Sequence, residues 1–128
     1  MIIAVVGAHL SGLPLNSQLT ERGGKLISPA KTAANYKLFA LPNTTPPKPG
    51  LLRVPAGAAS IELELWELGP AEFGSFVDAV PPPLCIGNIE LEDGRWVNGF
   101  LCEPCALEGA TEITHFGGWR AFIASLKK

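Results

Sequence analysis

Twelve prolines and fourteen glycines are spread over a chain of 128 residues. Each proline removes a backbone donor and fixes φ, and each glycine weakens a helix or strand that it interrupts. Punctuation this dense excludes long helices and long strands and favours a loop-rich fold of short strands. Hydrophobic residues still make up 47% of the chain and charged residues 17%. That balance supports a packed core and argues against disorder. The length suits one domain spanning 1–128.

Lys and Arg total 10 against 12 Asp and Glu, for a formal charge of −2. Binding to nucleic acid or anionic lipid draws on clustered cations, so neither is an expected partner. No apolar run approaches the ~20 residues that cross a bilayer. Met1-Ile2-Ile3-Ala4-Val5-Val6-Gly7 lacks a basic leader and a cleavage site, and reads as a buried strand and not as a signal peptide. Three cysteines, an odd number, fit a reducing cytoplasm.

Ile2 to Ala8 is apolar almost throughout, as in a strand covered on both faces. A short helix is expected from Pro14 to Arg22, stopped by Gly23-Gly24. Lys25 to Ser28 and Asn35 to Leu41 read as strands. Pro42 to Gly50, with four prolines, reads as an extended surface loop. Ser60 to Trp66 alternates, with Ile61, Leu63 and Leu65 inward and Glu62, Glu64 and Trp66 on a mostly solvated face. Pro70 to Val80 carries a helical stripe of Phe73, Phe76, Val77 and Val80, and Pro81-Pro82-Pro83 ends it. Asp93-Gly94 predicts a two-residue hairpin turn within Ile86 to Cys102. Leu91 would then face Trp96, and Ile89 would face Asn98, an amide on the apolar side. Phe116, Trp119, Phe122, Ile123 and Leu126 form a last helical stripe within Thr114 to Lys128, with Lys127-Lys128 at its C-terminal end. The expected core is Ile3, Val5, Ile61, Leu63, Leu65, Phe76, Leu91, Leu101, Trp119 and Phe122. The fold class is α+β, a small mixed barrel or strongly curled sheet with flanking helices.

The loop Gly7-Ala8-His9-Leu10-Ser11-Gly12 is the first candidate site. Small residues let backbone amides converge on an anion, and His9 titrates near neutrality. Ser11 and Asn16 could add hydrogen bonds. The alternative is a strand end whose histidine is satisfied by the main chain. Cys102-Glu103-Pro104-Cys105 is a C-x-x-C, but only Cys85, His9 and His115 remain as further ligands and none has paired spacing, so no metal or cofactor is expected. Gly117-Gly118-Trp119-Arg120 allows close backbone approach, and Arg120 could meet a carboxylate. No Gly-x-Ser-x-Gly elbow and no phosphate loop occur.

Five ordered blocks carry a resemblance. They are Val5 to Asn16, Tyr36 to Pro42, Pro83 to Gly87, Gly99 to Glu103 and Phe116 to Arg120. Together they resemble the C-terminal domain of allophanate hydrolase, nearly end to end. The resemblance implies a gamma-glutamylcyclotransferase-like fold and a place in urea degradation. It associates the domain with decarboxylation of N-carboxycarbamate, the step after the amidase. The amidase's Ser-cisSer-Lys triad is absent here, so an amidase or other urea-pathway enzyme is an expected partner, and a homodimer is a second possibility. The wider cyclotransferase family has Tyr-Gly-Ser-x-Leu where this chain has Val6-Gly7-Ala8-His9-Leu10. Its catalytic glutamate would fall near Val80 to Pro83, which are apolar, so glutamyl cyclisation is not expected.

The expected site takes a small anionic substrate. Amides of Gly7, Ala8, His9 and Leu10, with Gly12 turning the loop, would hold its carboxylate. Ser11, Asn16, Tyr36 and Arg120 would orient it. His9 would deliver a proton to the leaving nitrogen, with Glu103 orienting the imidazole. A binding or assembly role beside a separate amidase is the alternative.

Overall fold

β1 (Ile2–Val5) lies at the centre of a five-stranded sheet because its neighbours cover both edges. The computed structural model describes residues 1–127; Lys128, the second lysine expected at the last helix end, lies outside them. After β1 come α1 (Ser17–Thr20), β2 (Lys25–Lys31), β3 (Tyr36–Ala40), β4 (Pro49–Arg53) and β5 (Glu62–Glu67). Then follow α2 (Pro70–Asp78), β6 (Leu84–Glu90), β7 (Trp96–Cys102), β8 (Thr111–Glu112) and α3 (Trp119–Ser125). The large sheet has the order β2-β5-β1-β7-β6, and a second sheet has the order β4-β3-β8. β1 pairs antiparallel with β5 and parallel with β7.

The α+β class holds, and the sheet curls strongly without closing. Its two edge strands touch only at one end. There Thr32 bridges Leu91, Ala33 donates to the Glu90 carbonyl at 2.9 Å, and Glu92 donates to the Lys31 carbonyl at 3.0 Å. Beyond that pinch β2 and β6 diverge, so no continuous ring of hydrogen bonds forms among the described strands. One core fills the curl, joining Ile3 and Val5 of β1 to Leu38 of β3, Leu51 of β4 and Phe76 of α2. Eight of the ten expected core residues are buried; Leu101 and Phe122 are half-buried and pack against the core.

Several sequence expectations change. β1 stops at Val5, α1 spans only Ser17–Thr20, and β2 runs on to Lys31. Pro42 to Gly50 is not loop to its end, because Pro49 and Gly50 begin β4. The β6–β7 turn has three residues, not two. Leu91 donates to Arg95 at 2.8 Å, Gly94 alone takes a positive φ of 91°, and Asn88 falls opposite Asn98. Trp96 therefore faces Glu90, and the Asn98 amide donates to the Asn88 side chain at 3.3 Å, with no amide on the apolar face. The last helix is also broken. Gly117 takes a left-handed φ of 77°, separating a 3-10 turn at Thr114–Phe116 from α3 and leaving Leu126 64% exposed. Among the described residues no helix is long and apolar enough to cross a membrane.

The parallel contact between β1 and β7 requires glycine. A Cβ at Gly99 would stand 2.5 Å from Ile89 Cδ1, 2.8 Å from Ala4 Cβ and 2.9 Å from the Ala4 carbonyl oxygen. Two of those neighbours belong to the central strand and cannot swing away. Gly99→Ala should lower stability by about 1–3 kcal/mol, the usual cost of overpacking a core. Urea denaturation followed by tryptophan fluorescence checks this.

Candidate functional site

The chain leaves β1 at Gly7 and turns at once. Leu10 donates to the Gly7 carbonyl at 3.0 Å, Leu13 to Leu10 at 3.0 Å and Leu15 to Ala8 at 2.9 Å. Asn16 ties the turn from outside, its side-chain amide donating to the His9 carbonyl at 2.8 Å. Pro49 lies where any side chain at Gly7 would have to go. The loop is rigid, but not as an open ring of amides. The Leu10 amide is spent on Gly7 and the Ser11 amide on Glu64, so neither is free for a substrate carboxylate.

His9 points inward. Its ring stacks on Phe100 with centroids 4.9 Å apart and meets the edge of Phe76 at 5.2 Å. Nε2 lies 2.7 Å from the Gln18 side-chain oxygen, which α1 supplies. With that oxygen as acceptor, Nε2 carries the proton of the neutral ring and Nδ1 keeps its lone pair. The ring lines a cavity of about 220 Å³ together with Gln18, Lys48, Leu84, Phe76 and Phe100. Lys48 comes from the proline-rich segment, is half-buried and makes no ion pair among the described residues. Burial pushes the His9 pKa below 6.5, the Gln18 bond opposes this, and the positive charge of Lys48 lowers it further. The resting imidazole is therefore neutral at pH 7. Burial and the charge of Lys48, with Gln18 and not the carboxylate of Glu103 as hydrogen-bond partner, explain why it does not keep a ready proton.

On the other side of the loop lies a second polar centre. Glu64, on the β5 face that alternation marks as wet, is buried. It accepts from the Ser11 amide at 2.8 Å, the Ser11 hydroxyl at 2.7 Å, Trp66 Nε1 at 3.1 Å and Arg120 Nη2 at 3.1 Å. Arg120 also donates to the Ser11 carbonyl at 2.6 Å. Burial would raise the Glu64 pKa, but hydrogen bonds from Ser11, Trp66 and Arg120 outweigh it and hold the carboxyl below its ordinary 4.5. Ionised carboxylates accept such bonds and do not donate, so four donors suit the charged form.

The expected site residues thus divide. His9 faces one cavity; Ser11 and Arg120 meet Glu64 on the opposite side; Asn16 and Gly12 shape the loop. Tyr36 is elsewhere: it is fully buried, and its hydroxyl accepts from the Glu90 amide at 2.8 Å. Glu103 is exposed at the start of the 3-10 turn Pro104–Leu107 and does not reach His9. Cys102 is buried, its thiol pushed up to about 11 by burial and by neighbouring Cys85 and Cys105, while Cys105 is exposed. Sequence reasoning missed Gln18 and Lys48, for which spacing carries no signal. It also missed Glu64, whose strand alternation hides the loop and helix that cover it.

Acid should weaken this centre in two steps. In the unfolded chain His9 gains its proton around pH 6.5 and Glu64 around pH 4.5, whereas the folded protein resists both. The unfolded state then binds more protons, so stability falls as pH falls. His9 contributes fully above pH 6.5 and loses that contribution from there down through its lower folded value. Glu64 does the same from pH 4.5 downward. Urea midpoints across a pH series should decline in both windows. His9→Gln should flatten the upper decline and Glu64→Gln the lower one.

Residues 1–124 match the family model of the allophanate hydrolase C-terminal domain. The chain is 45% identical over 130 residues to the urea amidolyase of Saccharomyces cerevisiae, a match covering 98% of this chain and 7% of that protein. The crystal structure of the K. lactis urea amidolyase superposes with a TM-score of 0.95 at 46% identity, over 99% of this chain and 8% of that one. The crystal structure of c4763, a uropathogenic E. coli-specific protein, gives a TM-score of 0.89 at 35% identity and is covered over 94% of its length. An AIG2-like protein of mouse, at 19% identity and a TM-score of 0.60, shares the gamma-glutamylcyclotransferase-like fold. The chain spans less than a tenth of the urea amidolyases it matches.

Proposed function

Because this chain belongs to the allophanate hydrolase C-terminal domain family, we propose that it decarboxylates a small carboxylated nitrogen compound of the N-carboxycarbamate type, within urea nitrogen metabolism. One observation carries the reading: His9 and Lys48 share a small cavity walled by Phe76, Phe100 and Leu84. The ammonium of Lys48 supplies an anion anchor in place of the Leu10 amide, which is spent on Gly7. The substrate brings two carboxylates, and their charge reverses the effect of Lys48 on the ring. His9 then takes up a proton as the substrate enters.

The step balances simply. The bond between nitrogen and one carboxylate carbon breaks, and that carbon leaves as CO₂. The electron pair of the bond stays on nitrogen and takes the His9 proton, leaving carbamate. Gln18 holds the ring while the proton moves. General acid help of this kind contributes roughly 10²–10⁴-fold. The aromatic walls exclude water from the leaving group, and burial strengthens the attraction between Lys48 and the remaining charge.

The test supplies the intermediate from an amidase that lacks this domain, with allophanate as its substrate, and follows CO₂ release. The full chain should accelerate release beyond the spontaneous rate. His9→Gln should lose about 10²-fold or more of that acceleration. Lys48→Ala should raise KM more than it lowers kcat, since it removes binding charge. No acceleration by the unaltered chain would overturn the reading.

A second reading is docking onto an amidase. It is favoured by the place of the homologous domain within far longer urea amidolyase chains. In that case allophanate turnover by the amidase would rise equally with the His9→Gln variant.

A further inference from the structure

The cavity at His9 is not the largest hollow in the protein. A second one, of about 410 Å³, opens between β2, β5 and α3. Leu10 forms part of its wall, so the Gly7–Gly12 loop separates the two cavities. The charged residues on its lining are Lys31, Glu62, Glu64, Glu92 and Arg120. These come from β2, β5, the β6–β7 turn and α3.

Arg120 is built as a held cation. Its Nη2 reaches the Ser11 carbonyl, the Ser11 hydroxyl and the buried Glu64 carboxylate. Those three contacts anchor one end of the guanidinium. Nε and Nη1 make no hydrogen bond among the described residues, and the side chain is 44% exposed. An arginine whose position is set by a buried carboxylate while donors remain unspent is preorganised to receive an anion. Lys31 adds a second positive charge on the same lining.

The remaining lining restricts what that anion can be. Glu64 and Arg120 neutralise one another. Lys31 is then left with Glu62 and Glu92, two carboxylates against one ammonium. A ligand with two negative charges would meet Glu62 and Glu92 unfavourably. A ligand with no charge would accept from Arg120 only through neutral oxygens, a weaker bond than a carboxylate makes. The complement is one carboxylate together with N–H donors, the carboxylate toward Arg120 and Lys31 and the N–H groups toward Glu62 and Glu92. We propose that the β2–β5–α3 cavity is a second ligand site, taking a small molecule that carries one carboxylate and an amide or ammonium N–H, as an amino acid or a carboxylated amide does. The site is independent of the decarboxylation assigned to His9. The two share only the loop, through Ser11 on one side and His9 on the other.

Malonamate, with one carboxylate and one amide, and malonate, with two carboxylates, are the probes. Each is titrated into the full ¹⁵N-labelled chain while amide and indole resonances are followed. Malonamate should shift the Trp119 indole and the amides of Ala30, Leu63 and Glu64 with a saturable curve, and malonate should bind there more weakly. Replacing exposed rim residues, Lys31→Ala and Glu92→Gln together, should weaken malonamate severalfold without disturbing the fold. Arg120→Lys should abolish the shifts, and its spectrum shows whether the chain remains folded. His9→Gln should leave this binding unchanged. Shifts confined to His9, Gln18 and Lys48 would overturn the second site and leave the first intact. The absence of any saturable shift around Trp119 at tens of millimolar malonamate would also overturn it. Tighter binding of malonate than malonamate would refute the charge argument.

Discussion

Much of this protein hangs on one carboxylate. Glu64 is buried in the middle of β5, where an unpaired charge would be strongly destabilising. Four donors from three parts of the chain converge on it: the Ser11 amide, the Ser11 hydroxyl, Trp66 and Arg120. Ser11 and Arg120 are 109 positions apart in sequence, so the contact ties the first loop to the last helix. Removing one partner leaves the others facing a charge with fewer bonds, which is why such centres are costly to cut and tolerant only of complete replacement. An amide in place of Glu64 would present its own donor to groups that are themselves donors. The loop that carries His9 is thus fixed from behind, and its other face is free to present the ring.

His9 is set under opposing influences. Burial and Lys48 favour the neutral ring, and the Gln18 bond favours the protonated one. Between these, burial and Lys48 prevail. An anionic ligand would enter beside both Lys48 and His9, cancel the positive field and restore the basicity of the ring. On the proposed reading, protonation would be coupled to anion binding, and the imidazole that packs against two phenylalanine rings would be charged only beside that anion. Glu103 could not serve this purpose. A permanent carboxylate partner would keep the ring charged whether or not a substrate was present.

The parts of the fold legible in the sequence are those governed by local pattern. An unbroken apolar run marks β1, and a phenylalanine stripe with flanking prolines marks α2; both begin where the pattern puts them and end two or three residues early. The hairpin was legible as a hairpin but not in register. Asp-Gly is shared by two-residue and three-residue turns, and one residue of difference moves Asn98 from the apolar face to a partner in Asn88. Glu64 was illegible because alternation reports which way a side chain points and not what lies over it. Tyr36 belonged to a recognisable block, yet its hydroxyl serves the core by accepting the Glu90 amide. Membership in a family block does not place a residue in a site.

The prolines that first constrain the chain also explain how the His9 cavity acquires its charge. Pro46, Pro47 and Pro49 surround Lys48, and Pro49 packs against Gly7 at the mouth of the loop. Gly50, next in line, sits so close to Cys102 that a Cβ there would be 2.8 Å from its sulfur. The segment is therefore clamped at its end between β1 and β7, where only residues of that shape fit. Proline also limits the unfolded chain, so ordering this segment costs less entropy than ordering a flexible one would. Lysine has a long side chain and loses much freedom when it is held in place. Mounted on a stiff, anchored backbone, Lys48 has its Cα fixed beside the His9 cavity, so binding an anion would cost the freedom of its side chain and not that of the segment. The punctuation that forbids long helices here is the same feature that anchors the backbone carrying Lys48 at the wall of the cavity.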